Sequence, residues 1–205
     1  MDNTKQNVDV GKYLKDIETI KSLLIEADEK PLIEYWAFIT WGIFIIIGSV
    51  IQFFTANYFS LNVTDIIFKI WVPIMAVAGI FETVAWIQKM AKESIPLFSK
   101  LSIKFFGSCT LICIIFIILL NIFIDAGLSE YLPVIICFMI GTFFILFGTL
   151  TYTPMLYFSS FIIIFGTVIY LMNIQNNIMS LITGIVIAGT FITAGITAKR
   201  NQKEK

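Results

Sequence analysis

Two charged side chains lie inside long apolar runs of this chain, Lys69 and Glu82, thirteen residues apart with Pro73 between them. A charge near the centre of a membrane span costs about 2.5–3.5 kcal/mol on insertion scales, so it is kept where something neutralises or uses it. Glu82 stands in the run Ala78-Gly79-Ile80-Phe81-Glu82-Thr83-Val84-Ala85-Trp86, about a turn and a half inside the end of its apolar stretch. It reads either as a proton acceptor or cation ligand, or as a carboxylate close enough to the interface to reach headgroup water or Lys89. Lys69 has a stem long enough to carry its ammonium group outward. Thirteen residues of helix separate the two by about 20 Å, so they do not pair directly. Pro73 removes the helical donor for the Lys69 carbonyl and predicts a kink. Gln52 and Asn121 can hydrogen-bond across helices, at about 0.6 kcal/mol each. The candidate intramembrane polar site is therefore Glu82, Lys69, Pro73 and Gln52.

Other chemistry is poorly supplied. The chain has no histidine, and so lacks the commonest general base and metal ligand. Its three cysteines, Cys109, Cys113 and Cys137, all lie in apolar segments and read as packing residues, neither a disulfide framework nor a zinc site. No metal or cofactor is expected, and without acid–base pairs at mid-span depth the chain is expected not to be an enzyme. Acidic and basic residues balance at 14 each, so no basic face suggests nucleic acid.

The elements that position these residues are apolar. The 205 residues are 58% hydrophobic and 14% charged, with a mean hydropathy of +0.90, which marks an integral membrane protein. A bilayer core needs about 20 apolar residues per crossing. Six runs meet that length, at about 35–56, 65–88, 104–124, 131–150, 154–172 and 178–197. The expected fold is all-α and polytopic: six transmembrane helices in an up-and-down bundle spanning 31–198, with a cytoplasmic segment at 1–30 and a cytoplasmic tail at 199–205. Pro31, Pro133 and Pro154 mark helix starts. The short Thr151–Pro154 connection makes the fourth and fifth spans antiparallel neighbours, and residues 173–177 do the same for the fifth and sixth.

Lysine and arginine give the direction. They cluster in 1–30, in the connection from Lys89 to Lys104, and after Lys199, while the alternate connections carry none. The positive-inside rule then places both termini in the cytoplasm of a multi-pass protein of the cell's inner (cytoplasmic) membrane. An even number of spans agrees. Trp36 and Trp86 fall near the cytoplasmic interface, as aromatic belts do.

Before the first span, Val10, Tyr13, Ile17, Ile20, Leu24 and Ala27 repeat at alternating spacings of three and four, the seam of a heptad. The amphipathic helix they predict ends at Lys30, the residue before a proline. Its seam either packs on the cytoplasmic ends of its own bundle or docks on a protein partner or a second copy of the chain. Small residues in the last span, Gly184, Ala188 and Gly195, permit close helix approach, within the bundle or between subunits.

Trp41-Gly42 followed by Gly48, and Gly141 followed by Gly148, give the chain a look that resembles small prokaryotic six-span membrane proteins of the acid-resistance HdeD-like type. The resemblance implies a bundle of glycine-marked helical hairpins and carries over no functional residue. Two functions are in play. The first is a non-enzymatic accessory, sensory or regulatory membrane component that contacts a partner through its N-terminal helix. The second is a small oligomeric channel or transporter for an ion or small solute, using Glu82 and the Pro73 kink. The expected partners are the lipid bilayer and whatever the N-terminal helix meets.

Overall fold

The computed structural model describes residues 34–59, 62–92, 100–150, 152–172 and 177–203. The regular structure among them is helical: α1 (Tyr35–Tyr58), α2 (Val63–Lys92), α3 (Lys100–Asp125), α4 (Leu132–Leu150), α5 (Met155–Met172) and α6 (Asn177–Lys203). A single 3₁₀ turn, Ser129–Tyr131, leads into α4. The heptad segment with Val10, Tyr13, Ile17, Ile20, Leu24 and Ala27 lies outside the described residues.

Five of the helices, all except α3, are long and apolar enough to cross a membrane, making this a multi-pass membrane architecture. The apolar part counted in α3, Thr110–Asp125, is shorter. Large aliphatic and aromatic side chains cover the outside, among them Phe68, Ile80, Ile117 and Ile164. Such a surface is stable against lipid and unstable against water.

The helices begin and end where local chemistry dictates. Asn62 caps α2, its side-chain oxygen accepting from the Asp65 N–H at 2.7 Å. α3 closes on Gly127, whose φ of +73° lets the Leu128 N–H reach the Phe123 carbonyl at 2.9 Å and the Gly127 N–H reach Ile124 at 3.0 Å. Pro154 sits in the turn before α5. α6 runs past the expected end at 197 to Lys203, so most of the supposed tail is helix. No breaker interrupts it, and Lys199 and Arg200 suit a helix C-terminus.

α1 packs most extensively on α6, and α4 on α5. Both pairs are antiparallel and both close over glycines. A Cβ at Gly42 would lie 2.5 Å from Ile192 Cγ1 and 2.8 Å from the Ala188 carbonyl oxygen, and one at Gly184 would overlap the Ser49 side chain. In the other pair, a Cβ at Gly141 would meet Ile163 at 2.5 Å and one at Gly166 would meet Cys137 at 2.6 Å. The two pairs join through aromatic rings: Phe38 meets Phe147 at 5.3 Å between centroids, and Phe144 meets Phe191 at 4.7 Å. Phe144, Phe147, Tyr152, Met155 and Ile162 are fully buried here. α2 lies outside α1, and α3 borders α4 along a narrower strip. An up-and-down reading makes α6 chiefly a neighbour of α5. Its main partner is instead α1, because the small residues of α6 face those of α1.

Candidate functional site

Three polar side-chain contacts line one seam, between α1 and α2. The indole Nε1 of Trp41 donates to Glu82 Oε2 at 3.0 Å. Toward the other end of the same pair, Trp71 Nε1 donates to Gln52 Oε1 at 2.7 Å. Where α1 begins and α2 ends, Lys92 Nζ meets Glu34 Oε1 at 2.8 Å. On α1 the three residues are seven and eleven apart, so they fall on one helical face. On α2 their partners follow in reverse order, as an antiparallel pair requires.

Glu82 stands between Ala78 and Ala85, both fully buried, on the face that α2 turns inward. Its own side chain is partly exposed. The Trp41 ring is held in turn by Phe191 of α6, stacked at 6.3 Å with 29° between planes. Phe81, the residue before Glu82 and about 100° from it around α2, meets two further rings of α1, Trp36 at 6.5 Å and Phe44 at 5.9 Å. The carboxylate is thus held by one ring, Trp41, which Phe191 links in turn to α6.

The expected break at Pro73 takes the form of a π-helical turn, Ile67–Trp71, directly ahead of the proline. The Val72 N–H reaches back five residues to the Ile67 carbonyl, and Pro73, with no N–H to give, follows at once. This wide turn delivers Trp71 to Gln52 and over Gly48, where a Cβ would lie 3.1 Å from the ring. Lys69 occupies the same turn but points away from the seam. Its ammonium pairs with Asp65 at 2.8 Å and is 64% exposed. Glu82, Gln52 and the Pro73 break therefore share the α1–α2 seam, and Lys69 does not join them. Asn121 likewise stays within its own helix, donating to the Ile117 carbonyl at 2.7 Å.

Sequence reasoning missed Glu34, Trp41 and Trp71. Glu34 is buried to 4% exposure at the first turn of α1, yet its side chain caps nothing in its own helix and reaches across to Lys92. Lys199 Nζ lies 5.3 Å from the centre of the Tyr35 ring, and Asn201 donates to the Tyr152 hydroxyl at 3.1 Å. The start of α1 is thus fastened to the ends of both α2 and α6. The spacing of Glu34, Trp41 and Gln52 was the signal that could have found this face.

Among the described residues, no group of three or more histidine, cysteine, aspartate or glutamate side chains could hold a metal ion. Cys137 is buried against Gly166, Cys113 is an exposed thiol on α3, and the Cys109 side chain lies outside those described. No protein-family model, curated protein or solved structure matches the chain. The fold and site therefore stand on geometry and sequence alone.

Proposed function

We propose that this chain is a non-enzymatic, multi-pass protein of the cytoplasmic membrane that acts as an accessory, sensory or regulatory component. In this reading six helices cross the bilayer, α3 among them, and both termini are cytoplasmic. The N-terminal helix, with its seam of Val10, Tyr13, Ile17, Ile20, Leu24 and Ala27, is the surface offered to a partner.

The observation that supports this best is the fastened start of α1. Glu34 on Lys92, and Tyr35 under Lys199, hold the point from which residues 1–33 depart. A fixed start of α1 sets the point at which the proposed N-terminal helix joins the bundle, and tethering at a fixed point lowers the entropy cost of docking. The lysines and arginine at this end of α2 and α6 also suit the cytoplasmic face.

The test is a native-mass determination of the complex extracted from its own membranes in mild detergent, for the full chain and for a version lacking residues 1–30. A second polypeptide that disappears with the truncation is the expected result. A homo-oligomer or a monomer indifferent to the truncation would overturn the accessory reading. It would favour the second one, a small oligomeric channel or transporter, whose specific support is Glu82 on the inward face of α2 beside the Pro73 break.

A further inference from the structure

The outward face of α6 ends in the single arginine of the chain. Ile182, Ile185, Gly189, Thr193, Ile196 and Arg200 are all exposed and fall within about 80° of one another around the helix. This strip lies away from the face that closes on α1 through Gly184 and Gly195. Ile185 is 50% exposed and Ile196 42%, and between them the strip is shallow. A Cβ at Gly189 would meet nothing within 4 Å. The Thr193 hydroxyl folds back on its own helix and donates to the Gly189 carbonyl at 2.6 Å. The middle of the strip is therefore a trough with no bulky side chain and no hydroxyl donor turned outward.

Arg200 gives the trough a charged end. α6 stays helical to Lys203, so Arg200 stands about 4.5 Å beyond residue 197, where the apolar run ends. The headgroup layer occupies about 5–7 Å on each side of the hydrocarbon, which puts the guanidinium at phosphate depth. Gly189 lies about 16 Å back along the axis, close to the half-thickness of a bilayer core. Arg200 belongs to neither of the ion pairs Lys92–Glu34 and Lys69–Asp65, while Lys199 beside it is turned to the Tyr35 ring at 5.3 Å. Among the described residues, this end of the bundle sets Lys89, Lys92, Lys199 and Arg200 against one carboxylate, Glu34, which Lys92 already pairs.

We propose that this face of α6 binds one anionic phospholipid, with its phosphate on Arg200 and an acyl chain lying in the trough over Thr193 and Gly189. A planar guanidinium meets two phosphate oxygens at once, and basic residues at the end of a span select acidic headgroups. A zwitterionic lipid brings an ammonium group of its own, which the excess of cations at this end disfavours. Charge also decides against a second copy of the chain as the occupant. A symmetric contact through this strip would turn Arg200 toward Arg200, and the strip carries no carboxylate to offset them. The site does not depend on the accessory reading, since its measurement is lipid binding and not partner capture.

The test is native mass spectrometry of the purified full-length chain in detergent, titrated with phosphatidylglycerol or with phosphatidylcholine of the same acyl chains. One phosphatidylglycerol per chain is expected to bind about fivefold more tightly than phosphatidylcholine, the worth of one basic residue beside an anionic headgroup. Arg200→Gln should abolish that preference. Lys199→Gln, the same change of charge off the strip, should leave most of it. Gly189→Leu, whose new Cβ has no neighbour within 4 Å, should fill the trough and weaken phosphatidylglycerol binding with every charge intact. Equal losses in Arg200→Gln and Lys199→Gln would mean diffuse surface charge and overturn the proposal. So would undiminished binding in Gly189→Leu, or a dimer of the chain that Gly189→Leu dissolves. The comparison of the two lipids is made on the wild-type chain, and equal affinities there would overturn the proposal even if a variant fails to fold.

Discussion

α1 is held on its two sides by opposite physics. Against α6 it presents Gly42 and Ser49 to Ala188, Ile192 and Gly184, and the backbones come so close that a single methyl group would collide. Against α2 it presents Glu34, Trp41 and Gln52, each joined by a polar bond across a wider gap. In lipid, where apolar side chains gain nothing by leaving the solvent, association comes from close packing and from interhelical hydrogen bonds. This helix relies on close packing against α6 and mainly on hydrogen bonds against α2, where Gly48 also lets Ile74 and Trp71 come close. Close packing has no slack, because every approach is set by a missing side chain. Polar clasps tolerate displacement, because a long side chain can follow its partner. The comparison teaches that α1 and α6 form the fixed frame and that α2 is the element attached to it.

Three substitutions would break or sharpen this contrast. The largest effect belongs to Gly184→Ala, whose new methyl would overlap Ser49. Overpacking of this kind costs about 1–3 kcal/mol, and the thermal midpoint in detergent should fall clearly. Adding Ser49→Gly should restore most of the loss, which would attribute it to that one contact. An unchanged midpoint for Gly184→Ala alone would mean that α1 and α6 are not in tight register.

Lys92→Met comes next. It leaves the buried carboxylate of Glu34 without its cation, while the lysine itself is 67% exposed and already solvated. The thermal midpoint should fall, by less than for Gly184→Ala, because water already solvates the lysine. Glu34→Gln should cost less, since no buried charge is left behind. If the two variants cost the same, the ion pair is not what fastens the start of α1.

Gln52→Leu should show the smallest effect. It removes the acceptor of the Trp71 indole at a site worth about 0.6 kcal/mol. The fold should survive, with Trp71 fluorescence altered in a variant whose other tryptophans are replaced by phenylalanine. A loss as large as that of Gly184→Ala would show the two sides of α1 to be equally rigid.

Much of the architecture was legible because bilayer thickness is a strict ruler. The run at 35–56 became Tyr35–Tyr58 and the run at 154–172 became Met155–Met172, since a span has to be apolar and helical over a fixed length. The disruption at Pro73 was legible for an equally local reason, the missing N–H. Glu82 and Gln52 stood out because polar groups are rare in such runs, and both lie in the α1–α2 seam. Lys69 stood out for the same reason but is turned outward to Asp65. Rarity flags a residue without saying which way it points. Trp41 and Glu34 were passed over because a tryptophan in an apolar run and a glutamate beside a charged segment are both unremarkable until a partner is known.

The sequence by itself determined the apolar medium, where the apolar runs lie, most of the helix limits and the few polar residues among them. These follow from local chemistry: hydropathy, the i to i−4 hydrogen bond and the constraints of proline. Only the tertiary structure decided that the first helix closes on the last, that Trp41 meets Glu82, and that Glu34 reaches Lys92. In a bilayer every apolar face suits the solvent equally well, so hydrophobicity does not choose neighbours. That choice falls to where two backbones can touch and where a buried polar atom finds its partner, and both depend on residues far apart in the chain.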